Sequence, residues 1–270
     1  LVVALLGLWR QRWLFLGIGG MYIALYLVFV HGLGNTTDTQ SVRQQLSAGI
    51  AGNSGQLFRG VGSFATLLAG SNGSATDAGS VYQVLLGLIT SLAVIWSVRQ
   101  VSGNGKATIR GAFYKGSAPL VPFILVLALL LVELVPLLVG GGLYNMAVTY
   151  GIAVNPVEQW LWGLLFFVLA IISLYMLCYS VFAIYIVTLP DMKPIEAVRK
   201  SWRLVQYRLL PVIRKLLFLL IIFTVVGCLV VLPAVLFVPV IAQWILLAMS
   251  VVGLIVLHAY LYTLYKELIV

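Results

Sequence analysis

Charged side chains are scarce in this chain. Asp, Glu, Lys and Arg together make up only 9% of its 270 residues, whereas hydrophobic residues make up 62%. A soluble domain carries about 25% charged residues, and the number present here is too small to cover a globule with polar surface. The composition therefore excludes an ordinary soluble domain and indicates a protein whose solvent is largely lipid.

Cysteine and histidine are also scarce, with two residues of each type. Cys178 and Cys228 both lie in apolar runs, where thiols usually act as packing residues, and no disulfide or metal-ligand spacing is present. His31 and His258 are too far apart in sequence to suggest a zinc or haem site. The chain also lacks the phosphate-binding, hydrolase, metalloprotease and dinucleotide fingerprints. We therefore expect no metal, no cofactor and no catalytic activity of its own.

Long apolar runs dominate what is present. A bilayer core about 30 Å thick needs about 20 helical residues to cross it, and six runs approach or exceed that length. They cover about residues 13–30, 81–98, 120–139, 160–188, 212–232 and 241–262. The pattern predicts one all-α transmembrane domain over residues 1–270, a polytopic bundle of six spans.

The positive charge is sorted along the chain. The net charge is +9, and the basic residues cluster in short segments that flank apolar runs. This is the positive-inside pattern of membrane proteins rather than a nucleic-acid surface. Only Arg43 and Arg59 fall in the long polar loop 31–80, which we therefore place outside. Both termini are then cytoplasmic, and we expect a multi-pass protein of a prokaryotic plasma membrane.

The segment 194–210, directly before the fifth predicted span, is basic and amphipathic. Apolar residues recur at steps of three and four and predict one apolar stripe of a helix on the inner membrane surface. They are Ile195, Val198, Trp202, Val205, Leu209 and Val212. The candidate ligands for anionic lipid headgroups are the basic residues of this region: Arg199, Lys200, Arg203, Arg208, Arg214 and Lys215. A role limited to fixing the membrane topology explains these residues equally well.

Glycine and proline mark the expected ends of several elements. Asp191 is the expected N-cap of the basic helix, and Pro211 is expected to kink the chain where this helix turns into the membrane. Gly140–Gly142 should end the third span, and Pro233 should end the fifth.

Glu133 is the only acidic residue inside a predicted span. A charge near the centre of a span costs about 2.5–3.5 kcal/mol on insertion scales, so such residues usually face a partner or a cavity. The carboxyl is either a proton or cation site between helices, or a protonated, hydrogen-bonded group beside the break at Pro136. Tyr175, Tyr179 and Tyr185, together with two serines of the fourth span, line a lipid or substrate groove or form interhelical hydrogen bonds. These serines are Ser173 and Ser180.

Three basic, aromatic segments precede the first, third and fifth spans: Trp9–Trp13, Ile109–Lys115 and Pro194–Lys215. They predict an internal repeat of three hairpins. The alternative is that every entry into a bilayer favours Arg and Trp for the same general reasons.

The run PIEAVRKSWRLV at Pro194–Val205 resembles a known family cassette. The cassette reads P-x-E-A-h-x-x-S-W-x-L-h, with h an apolar residue, and occurs in poorly characterised prokaryotic membrane proteins related to the membrane domain of some glycerophosphodiester phosphodiesterases. The matching positions are Pro194, Glu196, Ala197, Ser201, Trp202 and Leu204. In that family the phosphodiesterase chemistry belongs to a separate soluble barrel, so the resemblance implies a membrane domain rather than an enzyme.

These observations predict a non-enzymatic membrane protein that interacts with lipid or organises the membrane. The alternative is a small transporter or permease subunit with its site at Glu133. The expected partners are membrane lipids, in particular anionic ones, and not nucleic acid; a protein partner or a second copy of the chain remains open.

Overall fold

The computed structural model describes residues 9, 11–33, 44, 77–103, 105, 107–149, 151–153, 155–190 and 192–269. Most of the predicted outer loop, 31–80, lies outside these residues, as do Arg43, Arg59 and Asp191. The described residues are almost entirely helical and contain no strand. The all-α polytopic class predicted from the sequence is confirmed.

The helices are numbered here in chain order. They are α1 (Arg12–Phe29), α2 (Asp77–Ser102), α3 (Ile109–Gly116), α4 (Leu120–Glu133), α5 (Val135–Thr149), α6 (Pro156–Ser180), α7 (Ala183–Ile186), α8 (Pro194–Val205), α9 (Leu209–Phe237) and α10 (Pro239–Ile269), with a 3-10 turn at His31–Leu33.

Among the described residues, six helical stretches are long and apolar enough to cross a membrane. They are Arg12–Phe29, Gly79–Ser102, Leu120–Val148, Val157–Ile186, Leu209–Phe237 and Ile241–Ile269. Within the most apolar 18 residues of each stretch, between 11% and 39% are buried inside the protein. Such exposed apolar surface is stable only where lipid replaces water. The chain is therefore a multi-pass membrane protein.

The third span is interrupted at Leu134, next to the break expected at Pro136, and not at the glycines that were expected to end it. Pro136 cannot donate to the carbonyl one turn before it, and its ring clashes there, so the Leu134 amide bonds instead to the Leu131 carbonyl at 3.1 Å. Helix α5 then continues through Gly140–Gly142 to Thr149. A Cβ at Gly140 would lie 3.1 Å from the Leu169 side chain, so this glycine allows close approach of α6.

Two prolines act differently from expectation. The chain turns at Gln206–Arg208, before Pro211, and the Arg208 amide bonds to the Val205 carbonyl at 2.8 Å. Pro211 is the third residue of α9, where an amide has no helical partner to lose, so it is tolerated there. Pro233 lies inside α9, which runs on to Phe237.

The contacts divide the described residues into two compact units. One comprises the residues before Pro119 together with Leu217–Thr263, and the other comprises Pro119–Leu216 together with the residues after Thr263. The prediction of a single domain is not tested by this division and stays a prediction.

In the first unit the short helix α3 packs on α1 and α2. Its buried residues are Ala112 and Gly116. A Cβ at Gly116 would lie 3.1 Å from the Ala93 Cα and from the Leu92 carbonyl oxygen, so the two helix backbones nearly touch. A hairpin in the same unit joins α9 to α10 around Val231, Val235 and Ala242.

In the second unit the short helix α8 contacts α4, α6 and α7, while α5 and α6 pack together as a hairpin. Helices α3 and α8 carry the same local pattern, an alanine followed by a lysine and a small residue: Ala112-Phe-Tyr-Lys-Gly116 and Ala197-Val-Arg-Lys-Ser201. In each helix the two small residues are buried and the lysine is exposed. The predicted repeat of three hairpins is not tested by this pattern and stays a prediction.

Candidate functional site

Helix α8 begins without a hydrogen bond from a capping side chain. The residue before it, Lys193, is extended (φ −80, ψ 145) and makes no side-chain cap hydrogen bond. Pro194 then supplies a φ angle preset for a first helical turn. Glu196 lies in the first turn and Arg203 in the last. Each charge is stabilised by the helix dipole at its own end.

The buried face of α8 differs from the stripe predicted by the sequence. Ala197, Ser201 and Val205 are completely buried, whereas Ile195 is 68% and Trp202 42% exposed. Hydropathy alone did not single out Ser201 for the interior. The signal that could have found it was the spacing of small residues by four, which allows helices to approach closely.

Ser201 and Trp202 attach α8 to the C-terminal end of α6. The Ser201 hydroxyl donates to the backbone carbonyl of Tyr179. The Trp202 ring stacks on the Tyr179 ring, with centroids 4.5 Å apart and planes inclined by 17°. Both contacts are made with Tyr179 of the fourth span, so one face of α8 is fixed against α6.

Tyr175 and Tyr179, both predicted as site residues, lie next to each other on α6. Their hydroxyls are 3.1 Å apart, and their rings meet edge to face with centroids 4.8 Å apart. Tyr179 is buried and Tyr175 is 42% exposed. Tyr175 therefore presents part of its ring beside the contact between α6 and α8.

The six candidate headgroup ligands separate into two that contact Glu267 and four that do not. Lys215 pairs with the Glu267 carboxylate, and the Arg208 guanidinium donates to the Glu267 backbone carbonyl at 3.4 Å. Lys200 is exposed and reaches only the Met192 sulfur at 3.5 Å. The remaining three, Arg199, Arg203 and Arg214, are exposed and have no acidic partner among the described residues.

The ion pair between Lys215 and Glu267 should contribute little to stability. Its side chains are 45% and 60% exposed, and such exposed pairs contribute about 0–1 kcal/mol. We expect Glu267→Gln to lower the free energy of unfolding by less than about 1 kcal/mol, measured by denaturant titration in mixed micelles. A larger loss would mean that this ion pair contributes substantially to the stability of the second unit.

Glu133 lies at the interruption between α4 and α5. Its backbone carbonyl accepts a hydrogen bond from the Ser173 hydroxyl at 2.8 Å. Its carboxyl oxygen Oε1 accepts one from the Ser180 hydroxyl at 2.5 Å. The other oxygen, Oε2, is buried and has no hydrogen-bond partner among the described residues. The two serines, both on α6, thus hold Glu133 at its backbone and at its side chain.

The two histidines belong to the first unit. His258 is buried in α10, and the His31 ring meets Trp244 edge-on at 5.6 Å. Within the described ranges, no group of three His, Cys, Asp or Glu side chains could hold a metal ion.

Comparison of the chain with protein-family models, with curated proteins and with solved structures finds no match. The resemblance of Pro194–Val205 to the membrane domain of glycerophosphodiester phosphodiesterases therefore stays a prediction.

Proposed function

We propose that this chain is a membrane protein without catalytic activity of its own, which binds anionic lipid headgroups through the cationic side of α8. The observation that carries the proposal is the placement of Arg199, Lys200 and Arg203. All three are exposed on a helix whose opposite side is buried against α4, α6 and α7. Arg199 and Arg203 are one turn apart and lack an acidic partner among the described residues.

A helix fixed in this way is suited to binding a lipid headgroup, because its backbone is already ordered before the lipid binds. Each basic residue near an anionic surface contributes about 1 kcal/mol, an effect that salt screens. Trp202 lies partly exposed on the same helix, and tryptophan prefers the level of the headgroups. The unpaired cations, rather than those held by Glu267, are therefore the main ligands.

The proposal places α8 at the inner leaflet of a prokaryotic plasma membrane. The basis is the sorting of basic residues in the sequence, in which Arg43 and Arg59 alone fall in the predicted outer loop. Gathering anionic lipid around the protein is one way in which such a domain organises a membrane.

Neutralising the unpaired cations tests the proposal. The double variant Arg199→Gln/Arg203→Gln should bind phosphatidylglycerol about thirtyfold more weakly, which corresponds to about 2 kcal/mol for two basic residues. Binding is measured by native mass spectrometry, with phosphatidylcholine as the competing neutral lipid. The wild-type preference for the anionic lipid should also weaken as the salt concentration rises.

The matched control, Arg199→Lys/Arg203→Lys, keeps both charges and should retain most of the preference. Glu196→Gln removes the acid of the first turn and should shift binding in the opposite direction, toward tighter retention of phosphatidylglycerol. Equal retention of the two lipids by the wild-type protein would contradict the proposal.

A further inference from the structure

The Glu133 carboxyl is satisfied on one oxygen only. Ser180 donates to Oε1 at 2.5 Å, while Oε2 is buried without a hydrogen-bond partner among the described residues. No described Lys, Arg or His side chain pairs with this carboxyl. The residue lies within the third candidate span, Leu120–Val148.

The charged form of Glu133 fits this setting poorly. An ionised carboxylate has two acceptor oxygens with about four lone-pair sites, and only one donor reaches it here. A charge left uncompensated in the apolar interior is far more costly than a neutral polar group. The neutral carboxyl needs no counter-ion, and leaving a neutral Oε2 hydroxyl without a partner costs far less than leaving a carboxylate charge uncompensated.

We propose that Glu133 is a proton-binding site inside the membrane. The carboxyl is neutral in this structure and carries its proton on Oε2, with Ser180 holding Oε1. The side chain as a whole is only half-buried, so the protein does not fully enclose it, and the proposal includes exchange of this proton with the surroundings. The proposal does not depend on headgroup binding by α8, and it supplies the chemistry that a small transporter at Glu133 would need.

The other titratable groups on the helices packed against α4 leave this assignment intact. Those on α5, α6 and α7 are Tyr144, Glu158, Tyr175, Cys178, Tyr179 and Tyr185, and those on α8 are Glu196, Arg199, Lys200 and Arg203. The charged residues of α8 are exposed, and none of these groups forms a hydrogen bond or an ion pair with Glu133. No cationic side chain on these helices therefore neutralises the Glu133 carboxylate in place of a proton.

A hydrophobic carbodiimide tests the protonated state directly. The carboxyl proton moves to a carbodiimide nitrogen while the carboxyl oxygen adds to the central carbon, and the adduct rearranges to a stable N-acylurea without loss of atoms. Only a protonated carboxyl that the apolar reagent can reach follows this route. We expect dicyclohexylcarbodiimide to label Glu133 of the wild-type protein in liposomes, as read by peptide mass spectrometry.

Three exposed carboxylates of the same chain provide internal controls: Glu158, Glu196 and Glu267. They should remain unlabelled by the hydrophobic reagent and react with a water-soluble carbodiimide instead. Labelling of Glu133 should decrease as the pH is raised. No labelling at Glu133, or equal labelling of all four carboxyls, would overturn the proposal. Protection of Glu133 by sodium at constant pH would also overturn it, since a metal cation would then occupy the site.

Infrared difference spectra between the wild-type protein and Glu133→Gln give an independent measurement of exchange. The expected difference is a carboxylic acid C=O band that shifts to lower frequency when water is replaced by D2O. Carboxylate bands in its place would show that Glu133 is ionised, and an acid band that does not shift would show that its proton does not exchange. Either result contradicts an exchangeable proton site.

Discussion

Replacing Gly116 by leucine should destabilise the first unit by about 3 kcal/mol, near the upper end of the usual cost of overpacking. A Cβ at this position would meet the Ala93 Cα and the Leu92 carbonyl oxygen at 3.1 Å, and the Ala93 amide nitrogen at 3.2 Å. All three atoms belong to the α2 backbone, which cannot rotate away as the end of a side chain can. Helix α3 must therefore separate from α2.

The free energy of unfolding can be measured by denaturant titration in mixed micelles. Gly142→Leu is the matched control, because Gly142 is an exposed helical glycine at which an added Cβ would meet no atom within 4 Å. This substitution should raise stability by up to about 1 kcal/mol, the difference in helix propensity. The same sign of change at both glycines would show that the contact between α2 and α3 is looser than the structure indicates.

The number and class of the spans followed from the sequence because they depend on the length of apolar runs. Every described candidate span overlaps a predicted one. The break beside Pro136 also followed, but the ends of the third and fifth spans did not, because glycine and proline act through their neighbours. Gly140 supports a close contact with α6 instead of ending a helix. Pro136 interrupts the span before the glycines, whereas Pro211 lies where a helix has no hydrogen bond to lose.

The orientation of α8 shows the limit of apolar periodicity. The pattern predicted that Ile195 and Trp202 share a buried stripe with Val205. In the structure both are exposed, and Ala197 and Ser201 are buried in their place. In lipid an exposed isoleucine costs little, so apolar residues are not drawn inward as they are in water. Close packing and the hydrogen bond to Tyr179 decide the orientation instead.

The polar residues of the spans were predicted as candidates but not as a connected site. Glu133 was singled out because an acidic residue in an apolar run is rare. Its partner Ser180 lies 47 positions further along the chain, and no periodicity links residues so far apart. Tyr175 and Tyr179 were expected to line a groove or to form interhelical hydrogen bonds, whereas their hydroxyls meet each other within α6, one helical turn apart.

Leucine at Ser201 should detach α8 from the second unit. Ser201 is completely buried and donates to the Tyr179 carbonyl, so the substitution removes that hydrogen bond and adds volume where the helices touch. Losing the bond costs about 1 kcal/mol and overpacking about 1–3 kcal/mol. We expect a docking equilibrium weaker by about 3 kcal/mol, or about a hundredfold. Ser201 occupies in α8 the place of Gly116 in α3, so the two substitutions test the same kind of contact.

Trypsin can measure this detachment, since Arg199, Lys200 and Arg203 are cleavable only when α8 leaves its docked conformation. When local opening is fast relative to cleavage, the cleavage rate follows the population of the open form. Cleavage of the Ser201→Leu protein after these residues should therefore be about a hundredfold faster than in the wild type. Ser201→Ala removes only the hydrogen bond and should accelerate cleavage about fivefold. Equal rates for the two variants would mean that α8 is held by the Trp202 ring on Tyr179 and not by the close approach at Ser201.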